Sequence, residues 1–139
     1  MSLAYDAIQV GDAIPSLEKK PSYMQLFMFS AITWNRHLIH YNTAFAQGDG
    51  LKDVAPHRAL IGSFLGQLLS KWAGDSGRVT RLEWSVRGSA LPGKVLTCKG
   101  KVVDKHVEGS RRIVECEVWA ETEEGETLAP GTAVVTLFV

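Results

Sequence analysis

The sequence predicts an α+β domain in which an antiparallel sheet wraps around one long helix. Three observations carry that reading. The stretch HRALIGSFLGQLLSKWAG, residues 57–74, repeats apolar residues at three-and-four spacing. After Gly74 the apolar period changes to two and stays there to the C-terminus. The 139 residues suit one hydrophobic core, so 1–139 reads as a single domain.

The elements follow in order. Gly11, Asp12, Pro15 and Pro21 interrupt short apolar runs in the first twenty or so residues, which read as a lead-in strand or coil. From Ser22 the pattern SYMQLFMFSAITW sets Tyr23, Leu26, Phe27, Ser30 and Ala31 on one face of a helix, with Ser22 as N-cap after Pro21. Apolar residues surround most of this helix, so it is expected to be well covered. A short helix through NTAFAQ has Asn42 as cap and Gly48 beyond its end, and GDGLKDVAP is a loop. In the long helix, Leu60, Ile61, Phe64, Leu65, Leu68, Leu69 and Trp72 form the apolar stripe. Gly62 and Gly66 within it each cost about 1 kcal/mol relative to Ala. That cost implies a close neighbour, either a strand or a ligand, with packing the simpler reason.

Four strands come next. Leu82, Trp84 and Val86 alternate with Arg81, Glu83, Ser85 and Arg87; Leu96, Cys98 and Val102 alternate with Val95, Thr97, Lys99 and Lys101. Val114, Cys116 and Val118 oppose Ile113, Glu115, Glu117 and Trp119, and Ala133, Val135 and Leu137 oppose Val134, Thr136 and Phe138. The breaks LPGK, VEGS, EEGE and APG carry turn residues, so the expectation is an antiparallel meander with one face on a core. TAVVTLFV is apolar on both faces. Read as an edge strand it needs a partner's cover, which implies a homodimer or a higher even oligomer.

Composition narrows the function. Lys+Arg and Asp+Glu both number 15, and the only tight basic cluster is Arg111-Arg112 in a turn, so neither nucleic acid nor an anionic membrane is expected as partner. No apolar run approaches the ~20 residues of a membrane span. MSLAYDAIQVGD lacks the basic start and apolar core of a signal peptide. Cys98 and Cys116 read as buried thiols of a cytoplasmic protein.

The chemistry-bearing residues gather in TWNRHLIHYN, Thr33 to Asn42. Asn35 and His40 lie about 140° apart on a continuous helix, so they converge only if the helix breaks between them. Arg36 and His37 share a face with His40 only if it continues. Three readings compete. The histidines decorate a helix C-terminus, where the dipole favours them. Alternatively His37, His40 and His57 bind a metal, although no acidic or thiolate residue stands at a ligand-like offset. In the third reading one histidine is a general acid or base, its pKa tuned by burial against Trp34, Tyr41 and Phe45.

The segment FSAITWNRHLIHYNTAFA, Phe29 to Ala46, resembles the hydratase motif of MaoC-like hot-dog proteins. That family comprises (R)-specific enoyl-CoA hydratases and 3-hydroxyacyl-thioester dehydratases. Its motif is an Asp, four residues, then His, ahead of a short helix. His40 falls on the catalytic His, and Asn35 falls where most members carry the catalytic Asp. SAITWNRHLIHYN is also similar, over thirteen positions, to the pattern S-A-x-T-x-N-x-H-R-I-H-Y-D of a branch that includes mitochondrial 3-hydroxyacyl-thioester dehydratases and mesaconyl-CoA hydratases. In APHRALIGSFLGQLL, His57 and Ser63 match a family His and Ser, and Arg58 replaces the usual Gly.

The resemblance implies a hot-dog fold and a hydratase/dehydratase of acyl-CoA or acyl-carrier thioesters, needing no cofactor or metal. His40 and Asn35 are the implied catalytic residues; His57, Arg58, Ala59, Ser63 and His37 are the implied substrate-binding residues. Backbone N–H groups opening the long helix hold the thioester oxygen in this picture. Asn35 has no basic group, so it orients water while His40 handles the proton. Two other classes stay open: a thioesterase drawing on Asp49 or Asp53, and a non-catalytic acyl-thioester-binding subunit.

Overall fold

The structure, a computed structural model, describes residues 3–138. Strand β1 (Ala13–Lys19) is followed by α1 (Tyr23–Thr33), a 3₁₀ turn (Leu38–His40), α2 (Thr43–Gly48) and the long α3 (Arg58–Ala73). Strands β2 (Gly77–Trp84), β3 (Leu96–Glu108), β4 (Arg111–Glu121) and β5 (Thr127–Leu137) complete the chain. One five-stranded antiparallel sheet has the order β1-β3-β4-β5-β2. It curves around α3, giving the α+β, single-helix hot-dog arrangement expected.

Alternation decides which side chains meet the helix. Leu96, Cys98 and Val102 of β3, Val114, Cys116 and Val118 of β4, and Ala133, Val135 and Leu137 of β5 are buried, as the period-two pattern requires. They pack with Leu60, Ile61, Phe64, Leu65, Leu68 and Leu69 of α3 in one core. Each such aliphatic side chain contributes about 1.5–3 kcal/mol relative to an exposed one. Register shifts interrupt the pairing at Ile14/Leu17, Val79/Arg81, Val102/Asp104 and Ala120/Glu121. Bulges of this kind bend and twist strands, which lets a sheet wrap a cylinder.

The helix starts follow local chemistry. The Ser22 hydroxyl accepts from the Gln25 N–H and the Asn42 side-chain oxygen accepts from the Phe45 N–H, so both caps are where the sequence puts them. The close neighbour implied by Gly62 is Trp84. A Cβ on Gly62 would lie 2.1 Å from Trp84 Cζ2, whereas one on Gly66 would meet only Leu82 Cδ2 at 3.7 Å.

The lead-in, read as a strand or coil, is a strand, β1, paired with β3. Three expectations are corrected. The sheet is not a simple meander: β3, β4 and β5 run consecutively, but β2 lies outside β5. APG is no break, because Ala129, Pro130 and Gly131 lie within β5 opposite Ala120, Trp119 and Val118. β5 is therefore interior, hydrogen-bonded to β4 on one side and to β2 on the other, so it is not an edge awaiting a partner; the edges are β1 and β2. Helix α1 also differs from expectation. Leu26 and Ser30 are its buried residues, while Tyr23, Met24, Phe27, Met28 and Ile32 are exposed in the single chain.

Candidate active site

The polar stretch forms a site because α1 stops in the middle of it. Trp34 takes a left-handed conformation, φ 58°. The Trp34 N–H reaches the Ala31 carbonyl at 3.4 Å and the Asn35 N–H reaches the Ser30 carbonyl at 3.0 Å. These are the two bonds of a Schellman stop, with Trp in the place usually held by Gly. The chain then turns, and Asn35 and His40, which a continuous helix would separate, line one cleft.

That cleft, about 600 Å³, is bounded by Phe29, Thr33, Asn35, His40, His57, Arg58, Ala59 and Trp84. His40 is 8% exposed. Its Nδ1 lies 2.7 Å from the Ala55 carbonyl, and the Ala55 N–H donates to the Ile39 carbonyl at 2.9 Å. A carbonyl only accepts, so Nδ1 carries the hydrogen and neutral His40 keeps its lone pair on Nε2. Burial lowers the His40 pKa from its ordinary value, the Ala55 carbonyl opposes that, and the charge of His37 adds to the lowering.

His57 is 2% exposed and precedes α3 as its N-cap residue. Its ring stacks on His40, centroids 3.7 Å apart and planes 19° apart. Its Nε2 sits 2.7 Å from Ser30 Oγ. Burial, then the charge of His40, pushes its pKa down to about 4. The His57 side chain makes no capping bond, and no acidic residue stands in the first turn of α3. The opening residues of a 16-residue helix, Arg58 and Ala59, thus line the cleft without a side-chain cap, and a helix start of this kind is a favourable place for developing negative charge.

Arg58 is anchored sideways. Its Nη2 donates to the Trp84 carbonyl at 2.8 Å, and Trp84 Nε1 donates to the Arg58 carbonyl at 3.0 Å. This reciprocal pair fastens the start of α3 to the end of β2 and sets the Trp84 ring as a wall of the cleft.

Of the sequence-predicted residues, Asn35, His40, His57, Arg58 and Ala59 meet in the cleft. His37 and Ser63 do not line it. His37 caps the 3₁₀ turn, its Nδ1 accepting from the Ile39 N–H, and the Ser63 hydroxyl donates to the Ala59 carbonyl 2.8 Å away. Asp53 is outside it as well, holding Thr43, the Val54 N–H and Tyr23. Sequence reasoning missed Phe29, Thr33, Ser30 and Trp84. The signal for Trp84 was Gly62, which announced a neighbour without naming it. The only group of three metal-capable side chains among the described residues is Asp104, His106 and Glu115, not the histidines of the cleft.

The model of the family "hydroxyacyl-thioester dehydratase type 2" matches residues 8–87, more than half the chain and all of the cleft. Among curated proteins none matches the sequence. The fold is similar to the (R)-hydratase from A. caviae involved in PHA biosynthesis, at 21% identity and TM-score 0.84, over 95% of this chain and 98% of that one. It is similar to the MaoC-like dehydratase from Rhodospirillum rubrum, at 19% identity and TM-score 0.86, over 99% and 97%. A C-terminally truncated (3R)-hydroxyacyl-ACP dehydratase complex, HadBC, from Mycobacterium tuberculosis matches at 11% identity and TM-score 0.76, over 91% and 96%. With the matched region covering more than half of the chain, including α3 and the whole Asn35–His40 cleft, the chain belongs to the hydroxyacyl-thioester dehydratase type 2 family, a family of hydratase/dehydratase lyases acting on acyl thioesters.

Proposed function

We propose that His40 is the single acid/base of a reversible hydration of 2-enoyl thioesters, with Asn35 orienting the water and the opening amides of α3 holding the thioester oxygen. The observation that carries this is the meeting of His40, Asn35, Arg58 and Ala59 in one cleft. In the dehydration direction, His40 Nε2 takes the C2 proton and the C2 electron pair delocalises onto the thioester oxygen as an enolate. The Arg58 and Ala59 N–H groups stabilise that charge, each donor contributing about 2.7–4 kcal/mol. The enolate collapses, the C2=C3 bond forms, and the imidazolium returns the proton to the departing C3 hydroxyl, which leaves as water. No step needs a metal. Asn35 donates to or accepts from that water and moves no proton. The lowered pKa of His40 keeps it unprotonated at neutral pH, as a base requires.

The substrate is a CoA or acyl-carrier thioester. Among the described residues no carboxylate lines the cleft, which favours this reading over a thioesterase using Asp49 or Asp53. The active form is a homodimer or higher even oligomer: β2 is an edge strand and its last residue, Trp84, walls the cleft, so a partner along that edge completes the mouth. The heteromeric alternative follows from the HadBC complex. A cytoplasmic setting suits two free, buried thiols.

The test is turnover of crotonyl-CoA and longer enoyl-CoAs, followed by loss of the conjugated thioester absorbance. His40→Ala should lose about 10²–10⁴-fold in kcat. Retention of full turnover in that variant removes His40 from the mechanism. Release of free thiol without hydration favours the thioesterase, and tight binding without product favours the binding subunit. Light scattering of the purified chain, alone and with a candidate partner, reads the assembly.

A further inference from the structure

We infer that His57 is a positioning residue for His40, with its tautomer and plane fixed by Ser30, rather than a residue that meets the substrate. The inference rests on the reading of His40 as acid/base.

Its geometry is that of a buried support. The ring is held between His40, stacked at 3.7 Å, and Phe29, tilted by 57° with centroids 4.8 Å apart. Ser30 Oγ engages Nε2 at 2.7 Å, while Nδ1 is buried and has no partner among the described residues. An imidazolium here would bury an N–H without an acceptor, and an orphaned donor is costlier than an orphaned lone pair. His57 is therefore neutral, with the hydrogen on Nε2 donated to Ser30 and the lone pair on Nδ1.

Two imidazoles this close do not both carry charge. The pair therefore takes one proton, and it goes to His40, whose Nε2 has no bonding partner among the described residues and whose ring lines the cleft. The titratable groups around His40 are His37, with ring centroids 6.1 Å away, His57, and Arg58, whose guanidinium turns to Trp84; none is an acid. His57 thus does two things for His40. It fixes the plane of the reacting ring, and it keeps water from the face it covers.

The experiment compares His57→Phe, His57→Ala and Ser30→Ala. The His40 ring is titrated by NMR without substrate, and kcat and KM are measured with crotonyl-CoA. Phenylalanine keeps the stacked ring and removes the second titratable group. His57→Phe should leave the His40 titration in place and retain kcat within about tenfold. His57→Ala should raise the His40 titration towards its ordinary value and lower kcat by about 100-fold with little change in KM, the scale of a misplaced catalytic group. Ser30→Ala should fall between them, and it carries the test if His57→Ala does not fold. The inference is overturned if Phe and Ala variants lose kcat equally, raise KM and leave the His40 titration unmoved, since that is the behaviour of a substrate contact. If the wild type turns over no enoyl thioester, the acid/base reading fails while the NMR titrations still decide whether His57 governs His40.

Discussion

Gly62→Ala tests the packing that shapes the cleft. The added Cβ would lie 2.1 Å from Trp84 Cζ2, 2.3 Å from Cε2 and 2.7 Å from Cη2. An ordinary carbon contact is about 3.5 Å, so the indole must retreat by roughly 1.4 Å. It cannot do so freely, because Nε1 donates to the Arg58 carbonyl and the Trp84 carbonyl accepts from Arg58 Nη2. Overpacking of this kind costs about 1–3 kcal/mol, and loss of the indole hydrogen bond about 1 kcal/mol more. Replacing Gly by Ala in a helix interior returns about 1 kcal/mol. The net expectation is a loss of about 1–3 kcal/mol, or a melting temperature lower by roughly 3–10 °C. Gly66→Ala is the internal control. Its nearest contact would be 3.7 Å, an ordinary one, so only the helix gain remains and stability should rise by up to ~1 kcal/mol. Urea denaturation of the three proteins reads both. A Gly62→Ala variant as stable as wild type would refute the claim that Trp84 is rigidly seated on α3.

Three further outcomes are expected. Folded His57 titrates near 4 and its unfolded form near the ordinary 6.5, so the unfolded state binds the extra proton in that interval. Stability is then full above about pH 6.5 and should fall by on the order of 3 kcal/mol as pH drops towards 4, with His40 adding in the same direction; urea midpoints that stay flat over this range would count against the burial of the pair. Burial raises the thiols of Cys98 and Cys116 to about 11 and about 12, so a disulfide-exchange reagent at pH 8 should label neither until urea unfolds the chain, and rapid native labelling would contradict it. Trp34 is 76% exposed at φ 58°, so Trp34→Gly should stabilise by up to ~1 kcal/mol, the relief of a left-handed non-glycine less the added chain entropy; a loss above that size would show that the indole packs.

Much of this was legible in the chain because it depends on local period. The α3 stripe, the Ser22 and Asn42 caps and the inward residues of β3, β4 and β5 each follow from spacing alone. Strand order was not legible, since alternation reports which face a residue occupies and not which strand lies beside it. β2 could equally have paired with β3. Pro130 looked like a turn because it cannot donate to a ladder. It is tolerated in β5 opposite Trp119, and its carbonyl still accepts the Ser85 N–H at 3.0 Å. In the site, the Asn35–His40 spacing gave the right pair, but the helix stop that brings them together was hidden. A Gly at position 34 would have announced it, and the chain has Trp there. Ser30 was placed on the apolar face of α1 and its bond to His57, 27 residues away, has no local signature.

The irregularities around the cleft are not spread evenly through the molecule. Two helices, α1 and α2, start with side-chain caps, whereas α3, which opens into the cleft, starts without one. A cap at position 57 would occupy the amides that the proposed chemistry needs. Trp34 is the single non-glycine residue with positive φ among the described residues, and it directly precedes Asn35. His57 Nδ1 is the single buried side-chain nitrogen or oxygen left without a partner among them, and it lies beneath His40. Each of these features costs on the order of 1–3 kcal/mol, yet all three border the same residues. Strain retained in one place while caps and pairing are satisfied elsewhere is what a site held ready for a reacting molecule looks like, and it is the physical reason for reading Asn35, His40 and the start of α3 as one device.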